Sequence, residues 1–351
     1  MSKQRIIQPA PETLVHDGRP QFGVFDNPLR NANLMDARYE MIPGVCAPDP
    51  IKALRLKKWQ FFLIVHPRYT LGMVIIDLGF IASSFLYVFD RETGKLSQHK
   101  RMAPSRSVRV ADNLWNGRCR FRQKNYSIDI RNQLDKGHHH ITLRVGGDAP
   151  HVDGEIRLLQ NPGGTRPITV CMPVGAERFM YSTKAACTAS GTLRIGGEQI
   201  TFDPTRDTAF MDEHKAFYPH HTYWKWAALA FVGEHGRLVA ANMTDNLVKD
   251  QESWNENAIL TPNATHLLGP VHFNYDPADI MKPWTLHDDD NRVQLTFTPL
   301  AVKYDNTNML VVRTDYRQPM GLFNGALVDG NGNTIQVTDA FGVTEHFDAY
   351  Y

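Results

Sequence analysis

"MDEHKAFYPHHTYWKWAALAF", residues 211–231, holds two carboxylates, three histidines, two lysines and six aromatic rings, and ends in an apolar run. Its second half reads as a strand. Alternate side chains of a strand share a face, so Thr222, Trp224, Trp226, Ala228 and Ala230 point one way, and Tyr223, Lys225, Ala227 and Leu229 the other. Two indoles followed by small alanines suit a cavity wall, and they equally suit a tightly packed core. The first half, Met211 to His221, reads as a loop ahead of that strand. It sets Asp212, Glu213 and His214 just before Tyr218, Pro219, His220 and His221, so that proton-transfer groups would hang over whatever the tryptophans line. A carboxyl sheltered against aromatic rings loses hydration of its charged form; its pKa rises and it becomes a general acid at neutral pH. A solvated charged loop, or an aspartate capping backbone amides, has the same spacing.

Outward from this stretch the chain repeats a strand-and-turn pattern. "ITLRVGGDAPHVDGEIRLL", "GTLRIGGEQITFD", "LAFVGEHGRLVAAN", "WTLHDDDNRVQLTF" and "GALVDGNGNTIQVTD" each set Gly, Asp or Asn between two strand-like segments, because those residues enter tight hairpin turns at least cost. Helical periodicity is confined to roughly Asp49 to Phe62, "DPIKALRLKKWQFF". The expected class is all-β: two successive antiparallel β-barrels or half-barrels that share an interface, since no linker composition separates them. The division is expected near Ala176 to Ala189, giving units of 1–180 and 181–351, the second carrying the candidate acid loop.

With 38 basic and 37 acidic residues among 351, the net charge is +1, which favours neither a nucleic-acid nor an anionic-membrane partner and points to a small or neutral one. Cys46, Cys119, Cys171 and Cys187 are too few and too scattered for a disulfide framework; reduced thiols in a cytoplasmic protein are expected. The opening "MSKQRIIQPAPETLVHDG" has no continuous apolar stretch of the secretory kind. The apolar region from Trp59 to Phe89 is broken by His66, Pro67, Arg68 and Asp77, and the piece from Leu78 to Phe89 falls short of the ~20 residues a spanning helix needs. No integral membrane segment is expected.

His138, His139 and His140 are consecutive, so they alternate across a strand and converge poorly on one ion; they read as a polar hairpin. No H-E-x-x-H, G-x-x-x-x-G-K-[ST] or G-x-G-x-x-G pattern is present, and neither a metal nor any other cofactor is expected. There is no G-x-S-x-G elbow either. Trp254, Glu256, Asn257, Arg313, Tyr316, Gln318 and Glu345 are polar or amphipathic groups near strand ends, suited to lining a pocket or to satisfying buried backbone.

"DEHKAFYPHHTYWKW", followed by "WNENAIL", "PW", "VQLTFTP", "DYRQPMGLFNGALVDGNG" and "FGVTEHF", resembles a bacterial family known as domain-of-unknown-function 2804, from about Phe22 to the C-terminus. More distantly the pattern resembles the lipocalin-like carotenoid 1,2-hydratases (hydroxyneurosporene synthases), which share a broader group with tocopherol cyclases and kievitone hydratases. Those relatives carry an Asp-His loop, a proline and a Trp-x-Trp strand. Asp212, His214, Pro219, Trp224 and Trp226 occupy the matching positions, with Glu213 inserted between Asp and His, and Ala216 and Phe217 where a glycine is expected. The resemblance implies lipocalin-like barrels and protonation of a carbon–carbon double bond without a redox cofactor.

The expected activity is that of a cofactor-independent acid/base enzyme, a hydratase or dehydratase, isomerase or cyclase, acting on a lipophilic unsaturated small molecule such as a terpenoid, polyene or aromatic compound. Asp212 is the expected proton donor and His214 its partner or the base. Tyr218, His220, Trp224, Trp226, Trp254, Glu256, Asn257, Tyr316 and Gln318 are the expected substrate-binding residues. Two rival classes use the same residues differently. A lipocalin-type carrier needs the apolar cavity without the acid, and a carbohydrate-active protein would stack sugars on the tryptophans and use Asp212 and Glu256 as its carboxylate pair.

Overall fold

The computed structural model describes residues 5–42, 44–309 and 312–350. Ten long strands form the path of the first sheet: β1 (Leu56–Val65), β2 (Tyr69–Asp77), β3 (Ile81–Asp90), β4 (Lys95–Pro104), β5 (Arg118–Gln123), β6 (Tyr126–Gln133), β7 (His138–Val145), β8 (Val152–Leu159), β9 (Arg178–Ile195) and β10 (Thr208–Phe217). They are ordered β4-β3-β2-β1-β10-β9-β8-β7-β6-β5, every pair antiparallel. Nine more form the path of the second sheet: β11 (His221–Val232), β12 (Leu238–Asn246), β13 (Ala258–Leu260), β14 (Thr265–Leu267), β15 (Val271–Asn274), β16 (Trp284–Asp288), β17 (Val293–Tyr304), β18 (Val312–Val328) and β19 (Thr334–Tyr350). Their order is β14-β13-β12-β11-β19-β18-β17-β16-β15, again antiparallel.

Each sheet curls around a core of its own, as the expected half-barrels require. Phe62 and Ile64 of β1 share one apolar cluster with Phe121 of β5, Ile128 of β6, Ile141 of β7, Ile156 of β8 and Met211 of β10, which a flat sheet does not permit. Ala227, Leu229, Trp284, Phe297 and Phe323 do the same inside the second sheet. A third cluster joins the two: Phe61, Val74, Phe85, Phe89 and Phe210 of the first sheet pack on Trp226, Ala228, Ala240, Met320 and Val343 of the second. The fold is thus two antiparallel half-barrels in succession, laid against each other. No helix of the described residues is long and apolar enough to cross a membrane.

Three expectations change. The helix stops at Arg55 rather than Phe62, because from Leu56 onward the aromatic and branched side chains are buried on both faces of β1 and their backbone pairs with β2 and β10. The loop expected over Met211–His221 is strand as far as Phe217; its charges are neutralised by buried partners instead of by water. The chain passes from one sheet to the other between Phe217 and His221, whereas the expected division at 180/181 falls inside the single strand β9. Lys184 and Asp212 consequently belong to the same sheet.

The histidine run lies on β7, and its middle member is not a polar surface group. His139 is fully buried, Nδ1 2.7 Å from Asn132 Oδ1 and Nε2 3.2 Å from Gln160 Oε1. Burial pushes its pKa from 6.5 down to about 4, against a smaller upward pull from Gln160. Between those two values the unfolded chain binds more protons than the folded one, so stability is lost as pH falls from 6.5 toward about 4. Chemical denaturation across this window is expected to show that loss, and a shallower one in His139→Gln; equal slopes for the two proteins would contradict it.

Candidate functional site

Both faces of β10 are buried, and its ionisable side chains divide between them. Met211 joins the first half-barrel's core, and Glu213 and Lys215 pair with one another on that face. Phe210, Asp212, His214 and Ala216 point the other way, toward the second sheet. Register supplies their neighbours. Lys184 of β9 lies directly opposite Asp212, and on the other side Phe61 and Trp59 of β1 lie opposite Asp212 and His214. From the second sheet Trp224 and Trp226 of β11 flank Phe347 and Glu345 of β19, with Tyr316 of β18 opposite Phe347. These groups enclose a cavity of about 230 Å³ between the sheets. Its apolar wall includes Val74, Ile76, Phe85 and Met180.

An ammonium ion organises the polar end. Lys184 Nζ is ion-paired with Asp212 Oδ1 and stands 3.6 Å from Glu256 Oε2. Burial alone would lower the Lys184 pKa, but Asp212 and Glu256 outweigh it and hold the group above its ordinary value, so it is charged. The other oxygen of Asp212 accepts Trp59 Nε1 at 2.9 Å. Asp212 is therefore provided with a donor on each oxygen. Glu256 is buried, its Oε2 is met by Lys184 Nζ only at 3.6 Å, and burial raises its pKa more than Lys184 and Ser182 lower it. Its backbone carbonyl accepts Asn242 Nδ2 at 2.8 Å, and Asn242 Oδ1 in turn accepts Trp226 Nε1 at 2.7 Å, so one amide fixes both the acid and the indole.

A third carboxyl, Glu345, sits across the cavity. Tyr316 OH and Gln318 Nε2 each donate to Oε1 at 2.7 Å, and Trp224 Nε1 donates to Oε2 at 2.9 Å. Burial raises its pKa against those three donors. His214 stacks on Trp59 with ring centroids 4.1 Å apart, and its Nε2 lies 2.7 Å from Tyr218 OH. Burial, then Lys184 and Lys215, hold its pKa well below 6.5, so the imidazole is neutral, and Nδ1 has no hydrogen-bond partner among the described residues.

Of the residues anticipated from sequence, Asp212, His214, Tyr218, Trp224, Trp226, Glu256 and Tyr316 converge on this cavity. Gln318 stands behind it and positions Glu345. Asn257 is spent on backbone, accepting Thr244 N–H and donating to the Gly269 carbonyl. Trp254 packs edge-on against Phe22 with centroids 5.7 Å apart, and His220 is exposed beside Tyr350. Lys184, Trp59 and Phe61 were missed. The alternation in "KWQFF" carries a signal for the last two, whereas nothing in the sequence around Lys184 separates it from a surface lysine. Among the described residues no group of three or more His, Cys, Asp or Glu side chains is placed to hold a metal ion.

Solved structures with related backbones are distant in sequence. Kievitone hydratase from Nectria haematococca is 12% identical, with 84% of this chain and 88% of that chain covered and a TM-score of 0.47. CghA, solved with Sch210972, is 10% identical, with 93% and 98% covered and a TM-score of 0.49. No curated protein sequence matches the chain. The family described as "Domain of unknown function (DUF2804)" matches residues 4–351, and the chain belongs to that family.

Proposed function

We propose that this chain is an acid/base enzyme that protonates an unsaturated carbon of a lipophilic small molecule, with hydration or dehydration, isomerisation or cyclisation as the outcome. The observation that carries the reading is the buried Asp212–Lys184–Glu256 group facing a cavity whose remaining wall is mostly aromatic and aliphatic. A carrier gains nothing from burying an ion pair with a further carboxyl beside it, because desolvating each ion costs several kcal/mol before pairing returns it. The apolar wall also leaves few groups to meet sugar hydroxyls, which favours a lipophilic ligand over a carbohydrate.

The donor role belongs to Glu256 in this reading, with Asp212, the donor anticipated from sequence, as the ion-pair partner of Lys184. Asp212 has a hydrogen-bond donor on each oxygen, whereas Glu256 Oε2 is met by Lys184 Nζ only at 3.6 Å. Protonating that oxygen relieves a buried charge that Lys184 only partly offsets. The proton then passes from Glu256 to one alkene carbon, the π pair forms the C–H bond, and positive charge develops on the other carbon. The faces of Trp59, Trp224 and Trp226 lower the energy of that cation by roughly 0.5–2 kcal/mol each. Neutral His214 takes the second proton, either from the carbon beside the cation or from a water that attacks it. A weak base suffices, since a proton next to a carbocation is strongly acidic.

Replacing Glu256 with Gln keeps the shape and removes the transferable proton. Turnover is expected to fall by about 10²–10⁴-fold with ligand affinity nearly unchanged, and solvent deuterium should cease to enter the product. Ligand binding without deuterium incorporation in the wild type would make the protein a carrier. Lys184 makes a separate, structural prediction. In Lys184→Met two buried carboxyls lose their cation, and unfolding by denaturant should become easier by about 3–5 kcal/mol at neutral pH. The folded pKa of Lys184 lies above its unfolded 10.5, so its contribution is fully present below 10.5 and fades only as pH rises through the folded value. Adding Asp212→Asn to Lys184→Met should recover part of the loss; a further additive loss would contradict the pairing.

A further inference from the structure

Of the residues that line the cavity, Phe80, Lys100 and Met102 are the exposed ones, which places its mouth at the ends of β3 and β4. Phe80 and Met102 are 49% and 47% exposed, unusual for large apolar side chains at neighbouring positions. The chain leaving β4 leads directly into an arginine cluster. Ser105 N–H bonds back to the Phe80 carbonyl at 3.5 Å, and Gln123 Nε2 at the end of β5 donates to the Met102 carbonyl at 2.7 Å. Between these ties Arg106, Arg109, Arg120 and Arg122 line a shallow groove.

The alternation of "RCRFR" on β5 explains the cluster. Cys119 and Phe121 point into the core, so Arg118, Arg120 and Arg122 share the outer face. Asp129 of β6 is the carboxylate that serves them, bonded to Arg118 and 3.6 Å from Arg120 and 3.9 Å from Arg131. Arg106, Arg109 and Arg122 are exposed and have no carboxylate partner among the described residues. A chain whose net charge is only +1 thus concentrates unpaired positive charge beside one apolar opening.

We propose that this face docks on an anionic lipid bilayer, with Phe80 and Met102 entering the headgroup boundary and Arg106, Arg109 and Arg122 meeting lipid phosphates, so that a membrane-dissolved ligand passes into the cavity without crossing water. The inference extends the reading of the cavity as a site for a lipophilic molecule. Charge complementarity selects the partner: guanidinium forks suit phosphate, and anionic surfaces attract basic side chains placed within a Debye length.

The test is co-sedimentation of the full-length protein with vesicles of phosphatidylcholine alone and of phosphatidylcholine mixed with phosphatidylglycerol, at low and high salt. Binding is expected with the anionic vesicles only, to weaken with salt, and to fall by at least about tenfold in Arg106→Ala/Arg109→Ala/Arg122→Ala. Thermal unfolding of that variant checks that it folds, and a Phe80→Trp variant provides an independent readout, its emission shifting to the blue when anionic vesicles are added. Absence of binding at low salt, equal binding by the triple variant, or an unshifted Phe80→Trp emission would overturn the proposal. Saturable binding of inorganic phosphate to the arginines without vesicle binding would overturn it in favour of a soluble anion. Vesicle binding is read without turnover, so its failure leaves the acid assignment intact, and Glu256→Gln should bind vesicles as the wild type does.

Discussion

A strand buried on both faces cannot carry an unpaired charge, and β10 carries four ionisable side chains in a row, Asp212, Glu213, His214 and Lys215. The alternation of the strand sorts them. Glu213 and Lys215 fall on one face and neutralise each other there, and Asp212 and His214 fall on the other with no countercharge on their own strand. Lys184, opposite Asp212 on β9, supplies it. That pairing fixes the register of β9 against β10 and places an ammonium at the seam of the two half-barrels. It also makes room for a second carboxyl, Glu256, to share the same cation. The chemistry of the cavity follows from this one requirement of charge balance.

Hydrogen bonds from indoles of both sheets complete the site. Trp59, Trp224 and Trp226 each spend their single N–H on a group of the polar network, respectively Asp212, Glu345 and Asn242. Each ring is thereby held with its N–H toward the polar network. Trp224 is further fixed against Phe347, ring centroids 3.8 Å apart. A cavity built this way is preorganised: its aromatic walls are oriented by the same network that sets the protonation states of its carboxyls. Excluding water strengthens both effects, because a charge developing on a bound molecule meets fixed dipoles and π faces instead of solvent.

The period-two pattern of "TYWKWAALAF" was legible, and the two tryptophans share the face it predicts, directed at the first sheet. So was the all-β class, since hairpin residues recur along the chain. The preceding "DEHKAF" reads as loop because adjacent charges ordinarily mark solvent, and nothing local discloses that their partners lie on other strands. Lys184 is 28 residues from Asp212 in sequence, and Glu345 is contributed by the last strand. Such partners become visible only when strand order and register are known. The helix assigned to Asp49–Phe62 failed for a related reason. The residues of Leu56–Val65 have acceptable helical spacing, but a strand position between β2 and β10 buries both of their faces, which local periodicity does not register.

The central claim is that one carboxyl of this cluster, Glu256, holds a proton at neutral pH. Infrared difference spectroscopy on protein labelled with carbon-13 at the glutamate carboxyls tests it directly. A labelled, protonated carboxyl C=O band should be present in the wild type at neutral pH and lose intensity in Glu256→Gln. If every labelled glutamate absorbs as carboxylate in the wild type, or if the protonated band is as strong in Glu256→Gln as in the wild type, Glu256 is not the acid and the account of the site fails.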